Sequence, residues 1–413
     1  MSQSQIEVRV WSNPRLWSIA LGEMLAWAGL FYLFPASLMR WKMHFNWSIS
    51  DLSLALMISL IVSAITGIFV GKLIDKGFGR VLMSIGAVFG GVCLLLIPLV
   101  GTILEFYILW ALVGIAMGTC LYDPCFAILT RHYSSKAKEA IVMVTLFAGF
   151  SITFSFILSG TISALLDWKT SFYVFGLLLC FLAAPLFWIG ISSDTNGWPK
   201  FPMNCYSSKG SVELLRDLAR NPFFWGLSVL FAVFALNHIM LLSQILPLFE
   251  SRGISPDSAI LLAAAMGFTQ VGGRMALIAV EKLLKREFEI IGVVLFTASL
   301  LVCASILLYC SAASLFFLPL FVVFLGTSFG IINLAKPVIT ASLLGESGFG
   351  FISALVGVGY ICGFAIAPGV SGIILDVWGV DTLIWIAFLF AVVGFVTFLV
   401  TTSKKFNQRG NSI

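Results

Sequence analysis

The chain has 413 residues, of which 60% are hydrophobic and only 10% are charged, and its mean hydropathy is +1.05. Soluble domains average about 25% charged residues, so this composition excludes a soluble enzyme, a nucleic-acid binder and a disordered scaffold as descriptions of the whole chain. The net charge of +5 is small for this length, and in membrane proteins a basic excess usually marks cytoplasmic loops. The sequence therefore predicts a polytopic membrane protein.

Twelve apolar runs follow one another along the chain, each near the length of about 20 residues that a membrane-spanning helix needs. They lie near residues 16–39, 50–71, 81–101, 105–129, 140–166, 170–191, 222–249, 256–280, 288–310, 313–342, 348–375 and 381–402. The longest polar interruption, 192–221, separates the sixth run from the seventh. We predict an all-α protein with an N-terminal six-helix half (1–191), a central loop (192–221) and a C-terminal six-helix half (222–413), the two halves being pseudo-symmetric.

The lysine and arginine residues are distributed unequally between the two sides of the predicted membrane. Eighteen of the 24 lie at the termini and in the even-numbered loops, four lie in the odd-numbered loops, and two lie within spans. By the positive-inside rule, this distribution predicts that both termini and the central loop are cytoplasmic.

Three short patterns repeat between the two halves. Asn13–Trp17 (NPRLW) opens the first half and Asn221–Trp225 (NPFFW) opens the second. Asp123-Pro124 late in span four mirrors Lys336-Pro337 late in span ten. The loops after spans two and eight share one spacing, carried by Gly67, Asp75, Lys76 and Arg80 in the first half and by Gly273, Glu281, Lys282 and Arg286 in the second. Repeated six-span halves are typical of transporters whose halves rock about a site at the membrane midplane.

The loop GKLIDKGFGR (71–80) resembles the signature of the major facilitator superfamily. This resemblance implies the twelve-helix fold of that superfamily, and it implies a cytoplasmic gate that includes Asp75, Lys76 and Arg80, in which Asp75 caps a helix or pairs with an arginine. A second interpretation is that the loop is merely a solvated charged turn.

Four further segments are similar to the monocarboxylate and oxalate/formate branch of this superfamily and related bacterial permeases. They are FYLFPASL (31–38), LYDPCFAILTRHY (121–133), DWKTSFYVFG (167–176) and QVGGR (270–274). Two departures put the lysine–acid scheme of proton coupling in that branch in doubt, because Ala36 stands where its lysine follows the span-one proline and Gln270 stands where its span-eight acid precedes Arg274.

The resemblance implies a secondary transporter that works by alternating access. We expect it to move a small organic anion, such as a carboxylate, with a proton or in exchange for another anion. The main alternative is an exporter of a larger amphipathic metabolite, siderophore or drug-like compound, although span five lacks the proline that drug antiporters of the superfamily usually carry. A third alternative is a receptor or interaction protein built on a transporter scaffold.

The remaining expectations concern partners and location. The chain carries no G-x-x-x-x-G-K-[ST] loop for ATP and no H-E-x-x-H pattern, so we expect no cofactor, no metal site and no enzymatic activity. We expect the partners to be the small-molecule substrate, a co-transported proton and membrane lipid, with no nucleic acid, and we expect the protein to function as a monomer. The family resemblance and the loop charges predict the cell inner (plasma) membrane.

An ionisable residue within a span costs about 2.5–3.5 kcal/mol on insertion scales and is by default a candidate functional residue, and four residues are the strong cases. Arg274 is the candidate substrate anchor, or else a structural arginine, and Gln270 one turn earlier is placed to orient Arg274 or the substrate. Glu23 is the candidate proton carrier, or else a permanent salt-bridge partner of Lys336 or Arg274. Asp123 and Lys336 are candidate gating residues that pair across the two halves, or else each pairs within its own half.

Polar and aromatic residues in the spans complete the predicted substrate site. Hydrogen bonds are expected from the side chains of Asn237, His238 and Asn333, together with Gln244. The apolar walls are expected to include Trp27, Tyr32 and Tyr360. A lone histidine within a membrane is more often a partner in a hydrogen bond between helices than a proton carrier.

Overall fold

A computed structural model gives the structure of residues 10–133, 136–192, 216–285, 288–345 and 349–410, with side chains described except at 349–351 and 404–410. Arg286 and most of the predicted central loop lie outside these ranges. All regular secondary structure within them is helical. This is the expected result for apolar segments in lipid, where each backbone N–H and C=O must be paired within the helix.

Eleven helical stretches of the described chain are long and apolar enough to cross a membrane. The first ten are α1 (Pro14–Phe45), α2 (Ile49–Asp75), α3 (Gly79–Leu99), α4 (Ile103–Tyr133), α5 (Ala137–Leu165), α6 (Trp168–Gly190), α7 (Pro222–Ser243), α8 (Pro256–Leu284), α9 (Ile290–Cys310) and α10 (Phe317–Leu344). The last stretch contains two helices, because Gly379 interrupts it with φ 81°, a backbone conformation that favours glycine. These are α11 (349–378) and α12 (380–410), so the predicted all-α fold with twelve helices is confirmed.

The repeated NPxxW motif forms the same helix start in both halves. The Asn13 side chain caps α1 by accepting from the Arg15 N–H, and the Asn221 side chain caps α7 in the same way. The indole N–H of Trp17 donates to a backbone carbonyl six residues earlier at 2.9 Å, and that of Trp225 does likewise. The motif is therefore explained by local helix initiation at two equivalent positions.

The chain forms two compact units. The first comprises Met1–Ala36 and Ile58–Pro199, and the second comprises Ser37–Met57 and Lys200–Ile413. The segment Ser37–Met57, which joins the end of α1 to the start of α2, thus belongs to the unit formed mainly by the C-terminal half of the sequence.

Small residues bring helices into backbone contact in both units, and one such contact is made by equivalent helices in each unit. In the first unit, a Cβ added at Gly114 or Gly118 of α4 would lie 2.3 or 2.7 Å from a carbonyl oxygen of α2, at Ser59 or Ser63 respectively. In the second unit, Gly330 of α10 lies against α8 so closely that its added Cβ would be 2.2 Å from the Gln270 carbonyl oxygen. Small residues four positions apart commonly permit such close approach between membrane helices.

We predict that Gly330→Ala destabilises the protein and that Gly272→Ala does not. The Gly330 change forces apart two helix backbones, and overpacking of this kind costs about 1–3 kcal/mol. A Cβ added at Gly272 on α8 would have no atom within 4 Å, so this position is a matched control. Thermal unfolding of the detergent-purified variants measures the difference, and equal melting temperatures would contradict the proposed contact.

Candidate functional site

The Arg274 side chain lies within the second unit between α8 and α10. It is 2% exposed, and its Nε donates a hydrogen bond of 2.8 Å to the carbonyl oxygen of Gly330. The close approach of the two helices at Gly330 makes this bond achievable, because it brings the α10 backbone next to the guanidinium. Since the guanidinium is planar, a bond at Nε also sets the orientation of the whole group.

Gln270 lies one helical turn before Arg274 and is also buried, with 2% exposure. Its Nε2 has no hydrogen-bond partner among the residues that the structure describes. A buried donor without a partner costs about 1–3 kcal/mol. The predicted pair therefore places a buried cation and an unsatisfied N–H donor one turn apart on one helix.

His238 and Asn237 on α7 face different helices. The His238 ring is buried and stacks on Phe329 of α10, with ring centroids 3.8 Å apart, and neither ring nitrogen has a hydrogen-bond partner within the described ranges. Asn237 donates from Nδ2 to the Ala387 carbonyl of α12 at 2.5 Å. His238 thus adjoins the residue before Gly330, whereas the amide nitrogen of Asn237 is used in packing α7 against α12.

Lys336, Tyr360 and Asn333 are half-buried residues of α10 and α11. The Lys336 ammonium lies 4.0 Å from the centroid of the Tyr360 ring, within the range of a cation–π interaction. Asn333 precedes Lys336 by about one turn of α10. The structure therefore joins two of these predicted site residues directly, in a contact that the sequence pattern did not indicate.

In the first unit, Glu23 is fully buried beside the aromatic residues of α1 and α4. Neither carboxyl oxygen has a hydrogen-bond partner by distance and angle in the described part of the chain, and the groups that face the carboxyl are the Trp27 indole N–H and the Cys125 thiol. The Trp27 ring lies 6.2 Å from that of Tyr32 and only 4.6 Å from that of Tyr122. Sequence analysis selected Trp27 and Tyr32 but not Tyr122.

The predicted gate loop makes its contacts within the first unit. Asp75 forms a salt bridge with Arg131 at the end of α4, and the Arg80 guanidinium lies 4.1 Å from the ring centroid of Trp188 on α6. Lys76 is exposed. The Asp75–Arg131 pair is the carboxylate–arginine contact that the family resemblance implied, with an arginine that sequence analysis did not select.

The remaining predicted gating residues occupy separate units. Asp123 is exposed and lies in the first unit just after a break in α4, whereas Lys336 lies in the second. Their pairing across the halves stays a prediction. In the mirror loop of the second half, Glu281 accepts a hydrogen bond of 3.3 Å from the backbone N–H of Phe288.

A contact that sequence analysis missed joins the start of α2 to α11 within the second unit. The Asp376 carboxylate accepts a hydrogen bond of 2.6 Å from the backbone N–H of Ser50. The first N–H groups of a helix have no partner within it, and the helix dipole favours a negative charge there. Asp376 of α11 therefore caps α2 at its N-terminus.

The same two helices meet again one turn further along α2. Gln244, at the end of α7, donates from Nε2 to the hydroxyl oxygens of Ser53 at 2.9 Å and of Ser371 at 3.1 Å. A Cβ at Gly372 would lie 2.7 Å from the Ser53 side chain, so the helices are in close contact. We call this set, Ser50, Ser53, Gln244, Ser371, Gly372 and Asp376, the α2–α11 seam.

Two further sets of charged residues interact within the second unit. Arg252 pairs with Asp381 at 2.8 Å, and the charges of Arg40 and Lys42 act on Glu250. Burial raises the pKa of the Glu250 carboxyl, an effect that Lys42 and Arg40 oppose. Because a raised pKa means protonation at higher pH, acidification removes the attraction of Glu250 for these two bases earlier than it would for an exposed glutamate.

Comparison with known proteins gives a family and several similar folds. Residues 16–335 match the family model described as Major Facilitator Superfamily. A bacterial homolog of the human lysosomal transporter Spinster, in an inward-facing and unoccupied conformation, has a TM-score of 0.69 and 15% identity, with 94% of this chain and 96% of that chain covered. The nucleoside transporter NupG, in a mutant form, has a TM-score of 0.68 and 13% identity, with 94% and 99% covered. No match was found among curated proteins. At these identities the solved structures show similarity of fold alone.

We predict that Asp376→Asn loosens the α2–α11 seam and that Asp381→Asn does not. Both changes remove one carboxylate charge, but Asp381 pairs with Arg252 and not with α2. Loss of a helix cap costs about 1 kcal/mol, which corresponds to about a fivefold rise in local opening. The rate at which a thiol reagent labels Ser53→Cys, resolved by mass spectrometry, measures this opening in each background. Equal labelling rates in the two backgrounds would refute the capping role.

Proposed function

The chain belongs to the Major Facilitator Superfamily and is a membrane transporter of that type, and we propose that it moves a small organic anion, such as a carboxylate, by alternating access. The movement is coupled to a proton or to the exchange of another anion. The observation that carries the proposal is the unsatisfied buried amide of Gln270 one turn from the buried guanidinium of Arg274.

A carboxylate matches the chemistry of this pair. A guanidinium has five N–H donors and binds carboxylates in a planar, charge-assisted geometry, and the Arg274 Nε also donates to the Gly330 carbonyl. An anion held at Arg274 would also accept from Gln270 Nε2, removing the cost of that buried donor. His238 and Asn333, on the two helices that meet near Gly330, are the proposed flanking polar contacts, and Tyr360 is a proposed wall.

Glu23 is the proposed proton carrier. A buried carboxylate whose oxygens accept no hydrogen bond of good geometry is strongly disfavoured, so the Glu23 carboxyl is favoured in its neutral form or when a cation approaches. A proton taken up on one side of the membrane neutralises the Glu23 carboxylate. Release of that proton on the other side restores the negative charge. Burial without a hydrogen-bond partner supports this role over that of a permanent salt-bridge member.

Contacts on the two sides of the membrane support a transporter that opens alternately to each side. On the predicted cytoplasmic side, Asp75 pairs with Arg131, and we propose that this pair acts with Lys76 and Arg80 as a gate. On the opposite side, the α2–α11 seam holds the start of α2 against C-terminal helices. We propose that the seam opens when the cytoplasmic side closes, and the proposed Asp123–Lys336 pair would form in that step.

A second candidate is export of a larger amphipathic compound. The aromatic cluster of Trp27, Tyr32 and Tyr122 in the first unit favours it, because such rings bind apolar and planar groups. The similarity of fold to a nucleoside transporter adds nucleosides to the compounds to be tested. For either candidate we propose a monomer in the cell inner (plasma) membrane with both termini in the cytoplasm.

The test is uptake of labelled monocarboxylates and dicarboxylates into proteoliposomes, with and without an inward proton gradient. We predict that Arg274→Gln and Gln270→Leu each reduce flux, the former by about tenfold or more, because a hydrogen bond to a charged group contributes about 1.5–3 kcal/mol. Arg274→Lys should recover only part of the flux, since an ammonium does not offer the planar fork. Arg220→Gln, at an exposed site before α7, is the control for loss of a positive charge.

The outcomes separate the alternatives. Acceleration by the proton gradient that is lost in Glu23→Gln supports proton coupling through Glu23, and flux that needs a preloaded anion supports exchange. Normal transport by Arg274→Gln would refute the anion anchor. Absence of carboxylate flux together with movement of nucleosides or amphipathic compounds would favour the second candidate.

A further inference from the structure

Proton coupling through Glu23 requires a route by which protons reach a fully buried carboxyl. Glu23 has an exposed fraction of 0%. The titratable groups that face it within the described residues are Cys120, Cys125 and Asp123, all on α4, and the Trp27 indole faces it from its own helix. The two thiols and the indole are not bases near neutral pH, so the exposed Asp123 carboxylate is the one of these groups that could pass a proton from water to Glu23.

Two aromatic rings lie beside Glu23: Trp27 faces the carboxyl, and Tyr122 contacts Trp27. Trp27 lies one turn after Glu23 on α1 and Tyr122 lies on α4, with ring centroids 4.6 Å apart and an interplanar angle of 47°. Both rings are half-buried, whereas the carboxyl is fully buried. Phe126 stacks on the other side of Tyr122 at 4.9 Å. The two rings are thus the partly exposed aromatic neighbours of a fully buried carboxyl.

Each of these rings is attached to an irregular point of its helix. Trp27 directly precedes a π-helical segment, Ala28–Tyr32, in which the Leu33 N–H donates to the carbonyl of Ala28 five residues earlier. The same carbonyl accepts a hydrogen bond of 2.9 Å from the Ser155 hydroxyl of α5. Single π turns within α-helices occur frequently at functional sites.

The second ring is attached to the break in α4. Leu121 has extended backbone angles, φ −94° and ψ −160°, and Tyr122 is the first residue of the helix that follows. Pro124 contributes to the break, because proline has no N–H to donate to the Cys120 carbonyl and its ring crowds that carbonyl. Both rings can therefore shift through a local change of backbone without displacement of a whole helix.

We propose that Trp27 and Tyr122 form an aromatic shutter that controls the access of protons to Glu23. The shutter is closed in this structure, and it opens when the π segment of α1 and the break of α4 rearrange. The inference rests on the proposed proton coupling and adds to it the residues that prevent the carboxyl from exchanging protons with both sides at once. Trp27 and Tyr122 act here by controlling access to Glu23, since neither takes up the transported proton.

The first test measures access to the site without relying on transport. Cys125 faces Glu23 and is 1% exposed, and Cys93 on α3 is an equally buried internal reference. Tyr122→Ala should raise the rate at which methyl methanethiosulfonate modifies Cys125 by at least about tenfold, as expected when local opening limits the reaction. Tyr122→Phe, which keeps the ring, should match the unmodified protein, and the rate at Cys93 should not change.

The second test measures proton movement in proteoliposomes that contain a pH-sensitive dye and no substrate. Tyr122→Ala and Trp27→Ala should each admit protons faster than the unmodified protein, and the increase should disappear when Glu23→Gln is added. An increase that persists without the carboxyl would overturn the proposal, because the protons would then use another route.

The two possible failures are distinguishable. Substrate flux that is indifferent to the proton gradient in the unmodified protein would refute the proposed coupling. Equal modification of Cys125 in Tyr122→Ala and in the unmodified protein, or an equal rise at Cys93, would refute the shutter whatever the coupling. The variants Tyr122→Phe and Trp27→Phe keep a ring and are the controls for misfolding. If protons leaked through them as fast as through the alanine variants, the shutter would also be contradicted.

Discussion

The backbone contact between α8 and α10 is the constraint on which the candidate anion site depends. At Gly330 the two helices approach so closely that any side chain would collide with the Gln270 carbonyl, and this approach places the Gly330 carbonyl beside Arg274. The preceding residue, Phe329, stacks on His238 of α7. One small residue therefore permits the close spacing of α8 and α10, and α7 contacts α10 at the adjacent residue. The first half repeats the glycine contact at Gly114 and Gly118 but has Ile68 at the spacing of Arg274, so the guanidinium belongs to the second half alone.

The fold and the buried charged residues could both be predicted from the sequence, because both follow from the properties of lipid. Lipid supplies no hydrogen bonds, so long apolar runs must be helices, and each ionisable side chain within such a run costs enough free energy to need an explanation. Glu23 and Arg274 were identified by this argument, and both are buried in the structure. The NPxxW repeat was equally informative, because a helix cap is a local arrangement that neighbouring residues determine.

Contacts between distant helices could not be predicted in this way. Tyr122 is one aromatic residue among many, and nothing in its neighbourhood indicates that its ring meets Trp27. Asp376 lies at the end of a span, where an acid resembles an ordinary loop charge, although it caps a helix far away in the chain. Asn237 was selected as a polar residue within a span, yet the facing helix decides its role, and its amide binds a carbonyl of α12.

The membership of Ser37–Met57 in the second unit has a consequence for biogenesis. Hydrogen bonds join this segment to residues 191 and 326 positions later in the chain. During synthesis, the end of α1 and the start of α2 therefore leave the ribosome long before Gln244 and Asp376 are added to the chain. Contacts of such large sequence separation form late and slowly. The first six helices enter the bilayer with the N-terminus of α2 still lacking its cap, and the cap forms only after the penultimate helix has been inserted.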